Sequence, residues 1–411
     1  MKTVLLRLSG FTFLPLLSLV TPLLLLPIIS GIVGSGGISS VIAGQAIGTF
    51  GATVLMWGWN IDGPVAIARA TDGQERGAIY LASIRTRIVL MFPVVPLVAA
   101  LSAAVAIPEF RIEAISMALA SVLAGMSPAW FCIGMGKPRS LAMYDTIPRF
   151  LATAISAPLL LLTQQLWNYT LVLAAATLLA LIFFQRRLAP VGRWLPGNLR
   201  TTFDEIKKQG HTAGINLAGN AYGSTPTPIA TATTPVAASG ALATADTLYR
   251  FGLFTVVALG NAFQSWTIEP GATNSHRRHM TAIWAHTILG VAGAGVLTVL
   301  GPWVSSIVFA GQIRASTELC FYYGVAFAFL SASTPLMRNL LIPAGQRVLI
   351  LRWTLVSAVF GVAVMIVSGF SGNAVGIAMG MTLSEVLLFL TLLFPALRVL
   401  HHERDSINHG S

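Results

Sequence analysis

Twelve apolar stretches, each near the ~20 residues that a helix needs to cross a bilayer, recur along the chain and leave it almost no room for charge. Their bounds are 11–33, 38–60, 88–107, 115–135, 149–165, 167–184, 212–233, 245–267, 283–309, 318–341, 351–369 and 374–397. Only 9% of the 411 residues are charged and 55% are hydrophobic, against roughly 25% charged in a soluble domain. Lipid is therefore the expected solvent, and the expected fold is an all-α polytopic membrane protein. Pro22, Pro27, Pro128, Pro228 and Pro335 fall inside these stretches, where neighbouring helices and water can satisfy the freed backbone groups. The first stretch is too long for a cleavable signal peptide, lacks a small-residue cleavage site and runs almost directly into the second.

The net charge of +11 raises nucleic acid or acidic lipid as partners, but the placement of the charges argues for topology. When alternate connections are assigned to the cytoplasm, starting with the N-terminus, they collect all 25 Lys and Arg except Arg111, Arg250 and Arg314. Basic residues gather on the cytoplasmic side of membrane proteins, so both termini are expected there, in the inner membrane, with no nucleic acid partner. Arg111 and Arg314 fall outside, and Arg250 falls within a span, in its outer half. Cys132 and Cys320 lie in apolar stretches and read as two buried small hydrophobes. His276, His279, His401, His402 and His409 lie in cytoplasmic segments without zinc-site spacing, so neither a metal nor a cofactor is expected.

The longest polar connection, QRRLAPVGRWLPGNLRTTFDEIKKQG at 185–210, follows six spans and precedes six more. This suggests an N-lobe over 1–190, a cytoplasmic connection over 191–211 and a C-lobe over 212–411. An offset of 209 relates Gly31 to Gly240, Gly51 to Gly260 and Trp57 to Trp266. Six is an even number, so the two halves would be parallel repeats about an axis along the membrane normal, an alternating-access design.

Three segments carry a family resemblance. WGWNIDGPVAIARA (57–70) resembles the run closing span 2 in polysaccharide-unit flippases of the Wzx type. These belong to the multidrug/oligosaccharidyl-lipid/polysaccharide (MOP) exporter superfamily. SPAWFCIGMGKPRSLAMYDTIPRF (127–150) is similar to that family's connection between spans 4 and 5, and FDEIKKQGHTAGINLAGNAYGS (203–224) to its entry into the second lobe. The resemblance implies a V-shaped pair of six-helix lobes lined by spans 1, 2, 7 and 8. It also implies the flipping of undecaprenyl-pyrophosphate-linked oligosaccharide units to the outer leaflet, driven by Na⁺ or H⁺. The polysaccharide polymerase machinery would be a partner. Asn60, Asp62 and Arg69 at the end of span 2 become candidates for a cytoplasmic gate.

The residues supply their own candidates. Asp246 and Arg250 are four apart and share a helical face. Arg suits an oxygen-rich anion such as a pyrophosphate, because its planar fork pairs two oxygens. The same pair could equally be a salt bridge that fastens the helix. Asn216 and Asn220 form a stripe on span 7, extended by Asn261 and Gln264 on span 8. Their amides suit either sugar hydroxyls or inter-helix bonds. Glu385 is a lone acid in span 12: protonated, paired, or a site for the coupling cation. Span 1 carries no charge after Arg7, whereas several relatives place a basic residue deeper in that helix.

No carboxylate cluster could hold Mg²⁺ for a glycosyltransferase, and no large outer loop could house a polymerase or ligase, so an enzyme is not expected. A drug exporter of the same superfamily is the nearest rival. It would present an acid to a lipophilic cation, usually in span 1, and none stands there. A scaffold without transport activity would carry the same features.

Overall fold

The computed structural model describes residues 24–188, 199–267 and 275–409. They are helical almost throughout, with no β-strand among them. Among the described residues ten helices are long and apolar enough to cross a membrane, and they coincide with the second to sixth and eighth to twelfth apolar stretches. Most of the first stretch lies outside the described residues. The seventh is broken into two helices, neither of which is a span by itself.

The chain divides into two compact units, residues 1–224 and 225–411. Unit 1 opens with α1 (Leu26–Met56), in which Gly34 departs from helical geometry at φ 62°, ψ −175°, a region almost closed to residues with a Cβ. This is where the first stretch was expected to give way to the second. The helix stops where Trp57 (φ 41°) and Gly58 (φ 86°) both turn left-handed and resumes as α2 (Trp59–Arg69). Then come α3 (Gly73–Val105), α4 (Arg111–Val122), the short α5 (Ala129–Gly134) and α6 (Pro138–Leu141), α7 (Ile147–Thr163), α8 (Trp167–Leu188) and α9 (Leu199–Ala221).

Small residues let α1 and α4 approach closely. A Cβ on Gly44 would lie 2.2 Å from the Ala114 carbonyl oxygen, and one on Gly48 would lie 2.2 Å from that of Ala118. Two glycines one helical turn apart, facing two alanines with the same spacing, form the small-residue crossing that lipid-embedded helices use. At one end of the unit the core is aromatic: Trp59, Tyr80, Trp130, Phe131, Tyr144 and Phe184 are buried together.

Unit 2 holds α10 (Pro226–Thr233), α11 (Val236–Thr267), α12 (Ser275–Val308), α13 (Thr317–Pro335), α14 (Arg347–Phe370) and α15 (Ala374–His409). A π-helical segment, Leu336–Leu341, extends α13. α12 packs on α13, α14 on α15, and α13 on α15, around a core of Leu336, Leu340, Leu341, Leu388 and Leu392. The outward faces are apolar, with Phe92, Val299, Val367 and Phe370 among the most exposed side chains. That pattern suits a lipid surround.

The prolines correct one expectation in part. Pro27 opens α1, Pro128 sits at the break before α5, Pro228 lies in the first turn of α10, and Pro335 adjoins the π segment. Three of these mark a helix start or break, because a missing N–H costs least in a first turn; Pro335 stays inside the candidate span Thr317–Leu341, as expected, and Pro22 lies outside the described residues.

Candidate functional site

The Asp246–Arg250 pair lies in unit 2, on α11. That helix begins at Val236, earlier than the stretch 245–267 suggested, because VAASGALATA is helix-forming though weakly hydropathic. Arg250 therefore sits about 21 Å along α11 from Val236 and about 25 Å from Thr267. It is near the centre of the candidate span Val236–Asn261, not toward one end of it.

Arg250 donates through Nε to Asp246 Oδ2 at 2.9 Å, and Thr227 Oγ1 on α10 donates to the same oxygen at 3.0 Å. The rings of Tyr249 and Tyr323 pack 5.4 Å apart, and Tyr323, from α13, lies within electrostatic reach of both Asp246 and Arg250. The two partners are unequally placed: the Asp246 side chain is 1% exposed and that of Arg250 is 31% exposed. The acid is the buried anchor, and the base is the member that reaches a surface of the unit. Burying the carboxylate is tolerable because charge-assisted bonds meet it.

A second group forms in unit 1. The left-handed Trp57–Gly58 elbow presents Trp57 Nε1 to the Ile206 carbonyl at 2.9 Å. A Cβ on Gly58 would lie 3.3 Å from the Ala213 nitrogen, so α9 passes close against this elbow and packs on α1 and α3. Asn216 Nδ2 then donates to Asn60 Oδ1 at 3.2 Å, while Asn220 Nδ2 donates to the Asn216 carbonyl at 2.8 Å and to its Oδ1 at 3.2 Å. The expected stripe and one expected gate residue thus form a single amide ladder, Asn220 to Asn216 to Asn60. Asp62 and Arg69 are exposed on α2 and form no ion pair with each other.

In unit 2, Arg338 Nη2 donates to Asn261 Oδ1 at 3.0 Å. The Gln264 side chain lies outside the described residues. Glu385 is 1% exposed on α15, buried within unit 2. Cys132 and Cys320 are buried free thiols.

Three functional groups escaped the sequence reading. Arg338, read as a charge of a cytoplasmic connection, belongs to the π segment within the candidate span Thr317–Leu341. Arg87, also expected in a cytoplasmic connection, is fully buried in α3. Its Nη1 donates to the Gly125 and Ser127 carbonyls at 3.3 and 3.1 Å, and its Nε to the Ser83 carbonyl at 3.3 Å. These bonds grip the chain where it breaks before Pro128, and the guanidinium lies 6.0 Å from the Trp130 ring centroid. His286 is buried on α12. The Gly125 and Ser127 carbonyls that meet Arg87, and the Asn261 amide that meets Arg338, stand on other parts of the chain, beyond the reach of local spacing.

The two-unit helical fold has known structural counterparts. No family model and no curated protein matches the chain. Among solved structures, a multidrug resistance MATE family transporter of the MOP superfamily, inward-facing, aligns with TM-score 0.67 and 15% identity over 93% of this chain and 98% of that one. The lipid II flippase MurJ, in an inward closed conformation, aligns with TM-score 0.66 and 11% identity over 95% of this chain and 87% of its own. The eukaryotic MATE transporter AtDTX14 aligns with TM-score 0.62 and 12% identity over 98% of both chains. The chain has the fold of MOP superfamily transporters. Likeness to MATE proteins and to MurJ is nearly equal, so overall shape does not choose between their cargoes.

Proposed function

We propose that this protein is a transporter that flips undecaprenyl-pyrophosphate-linked oligosaccharide units from the cytoplasmic to the outer leaflet of the cell membrane, for surface polysaccharide biosynthesis. One observation carries the choice of cargo: the inner pair of unit 2 leaves its base partly open, 31% exposed, and buries its acid. A site for lipophilic cations needs the reverse, an accessible carboxylate. A guanidinium near mid-span is costly unless it serves a polar path, and it matches phosphate oxygens in shape and charge.

In this reading Arg250 meets the pyrophosphate and Asp246 orients Arg250. Asn216, Asn220, Asn261 and Gln264 offer amides to sugar hydroxyls, and Asn60, Asp62 and Arg69 serve the cytoplasmic gate. Glu385 carries Na⁺ or H⁺, whose gradient drives alternating access. No bond is made or broken. The work is the passage of a charged, hydroxylated headgroup through ~30 Å of hydrocarbon, and polymerase machinery would take the delivered unit.

The test is deletion of the gene in its own host, scored for outward-facing lipid-linked sugar and for sensitivity to lipophilic cations. Loss of the sugar at the outer face, without a change in drug sensitivity, is the expected outcome. Unchanged surface saccharide together with increased sensitivity would replace this reading with a cation-coupled multidrug exporter.

A further inference from the structure

The turn after the π segment and the first two turns of α14 form an open pocket of about 450 Å³, lined in part by Gly345, Gln346, Val348, Arg352 and Trp353. Its polar contents are one-sided. Arg352 points from α14 into the lining, Arg347 opens the same helix, both are exposed, and neither forms an ion pair among the described residues. No carboxylate lines the pocket. Trp353 supplies an aromatic wall of the kind that settles at the headgroup level of a bilayer.

The surface below continues the feature. Val348, Arg352, Leu355, Val359, Ile366 and Phe370 are exposed along one face of α14, at helical spacing. Every member is apolar except Arg352, which stands near the pocket end. Phe370 is 83% exposed and Val359 69%, so this face carries an acyl-chain track with a cationic pocket at its head. On the charge placement described above, that head lies at the cytoplasmic surface, where anionic lipids concentrate and basic pockets beside spans hold their headgroups.

We propose that this pocket is a binding site for the headgroup of an anionic glycerophospholipid, with the phosphodiester on Arg352 and the tails along the exposed face of α14. The lining distinguishes lipid classes. A zwitterionic headgroup brings an ammonium, and the pocket has no acid to receive it, whereas phosphatidylglycerol brings only the phosphate charge and hydroxyls that Gln346 can meet. The site is independent of the cargo proposed above and requires only that the chain lie in a membrane.

The experiment uses the purified full-length chain in detergent, offered equal amounts of phosphatidylglycerol and phosphatidylethanolamine with identical tails, with retained lipid read by native mass spectrometry. The wild-type chain should retain phosphatidylglycerol by about fivefold over phosphatidylethanolamine, the factor that one basic side chain contributes near a lipid surface. Arg352→Gln should reduce that preference to near parity, and Arg187→Gln, which removes an exposed charge at the end of α8, should leave it in place. Gln346→Glu keeps Arg352 and adds a repelling charge to the lining, so it should also abolish the preference. An unchanged preference in both Arg352→Gln and Gln346→Glu would overturn the site. An equal loss in Arg187→Gln would do the same, by reducing the effect to diffuse surface charge.

Discussion

Removing the two members of the Asp246–Arg250 pair should have unequal consequences, and the inequality separates anchoring from cargo binding. Arg250→Ala strands a carboxylate that is 1% exposed, leaving it neutral donors such as the Thr227 hydroxyl at 3.0 Å. Breaking a buried pair in this way costs about 3–5 kcal/mol. Asp246→Asn keeps the side-chain shape and still accepts from Thr227. It leaves a guanidinium that is already 31% exposed, so the loss is nearer that of a charge-assisted hydrogen bond, about 1.5–3 kcal/mol. In the double variant no charge is stranded, and its loss should fall to about that of Asp246→Asn alone, so the two single losses overlap by nearly the whole Arg250→Ala loss, about 3–5 kcal/mol. Thermal midpoints in detergent and the amount of inserted protein read the stability arm. Outward-facing lipid-linked sugar per inserted molecule reads the functional arm. Transport should stay lost in the double variant although stability returns, and Asp246→Asn alone should transport better than Arg250→Ala. A double variant no more stable than Arg250→Ala would refute the buried-anchor argument. One that transports at the wild-type level would refute the role given to Arg250.

Three further outcomes follow from other parts of the molecule. Glu385→Gln, at a buried position of α15, should insert normally yet lose the dependence of transport on the ion gradient; an unchanged dependence would leave Glu385 a structural role. Cysteines at Gln165, Gln312 and Ser371, all exposed, should react with an impermeant thiol reagent outside intact cells, whereas cysteines at Gln74 and Gln346 should not. Labelling of the second set would overturn the orientation. Arg87→Met withdraws donors from the Gly125 and Ser127 carbonyls at the break before Pro128, and each buried acceptor left bare costs about 1–3 kcal/mol. The thermal midpoint should fall clearly, while Arg87→Lys, which keeps the charge but not the fork, should fall between; a midpoint unmoved by Arg87→Met would show that the break holds without it.

Apolar runs along the chain were sufficient to locate ten spanning helices, because in lipid each helix must satisfy its own backbone and advertise its length in composition. The same reasoning recognised Asp246 and Arg250, since an i, i+4 pair is set by the helix alone, and the amide stripe of Asn216 and Asn220 for the same reason. Placement depended on tertiary structure. Arg87 and Arg338 looked like topology charges, yet one grips a broken helix and the other an asparagine on a neighbouring span; a basic residue near a span's end reads alike in both roles. The seventh stretch looked like one helix, but its first half packs on α1 and α3 and its second half belongs to unit 2, because 3₁₀ geometry over Tyr222–Ser224 and prolines at 226 and 228 interrupt it. The asymmetry of the central pair is likewise invisible to spacing. Which of two residues on one helical face is buried depends on what the other helices bring against that face, and here they bring Thr227 and Tyr323 to the acid and leave the base partly open.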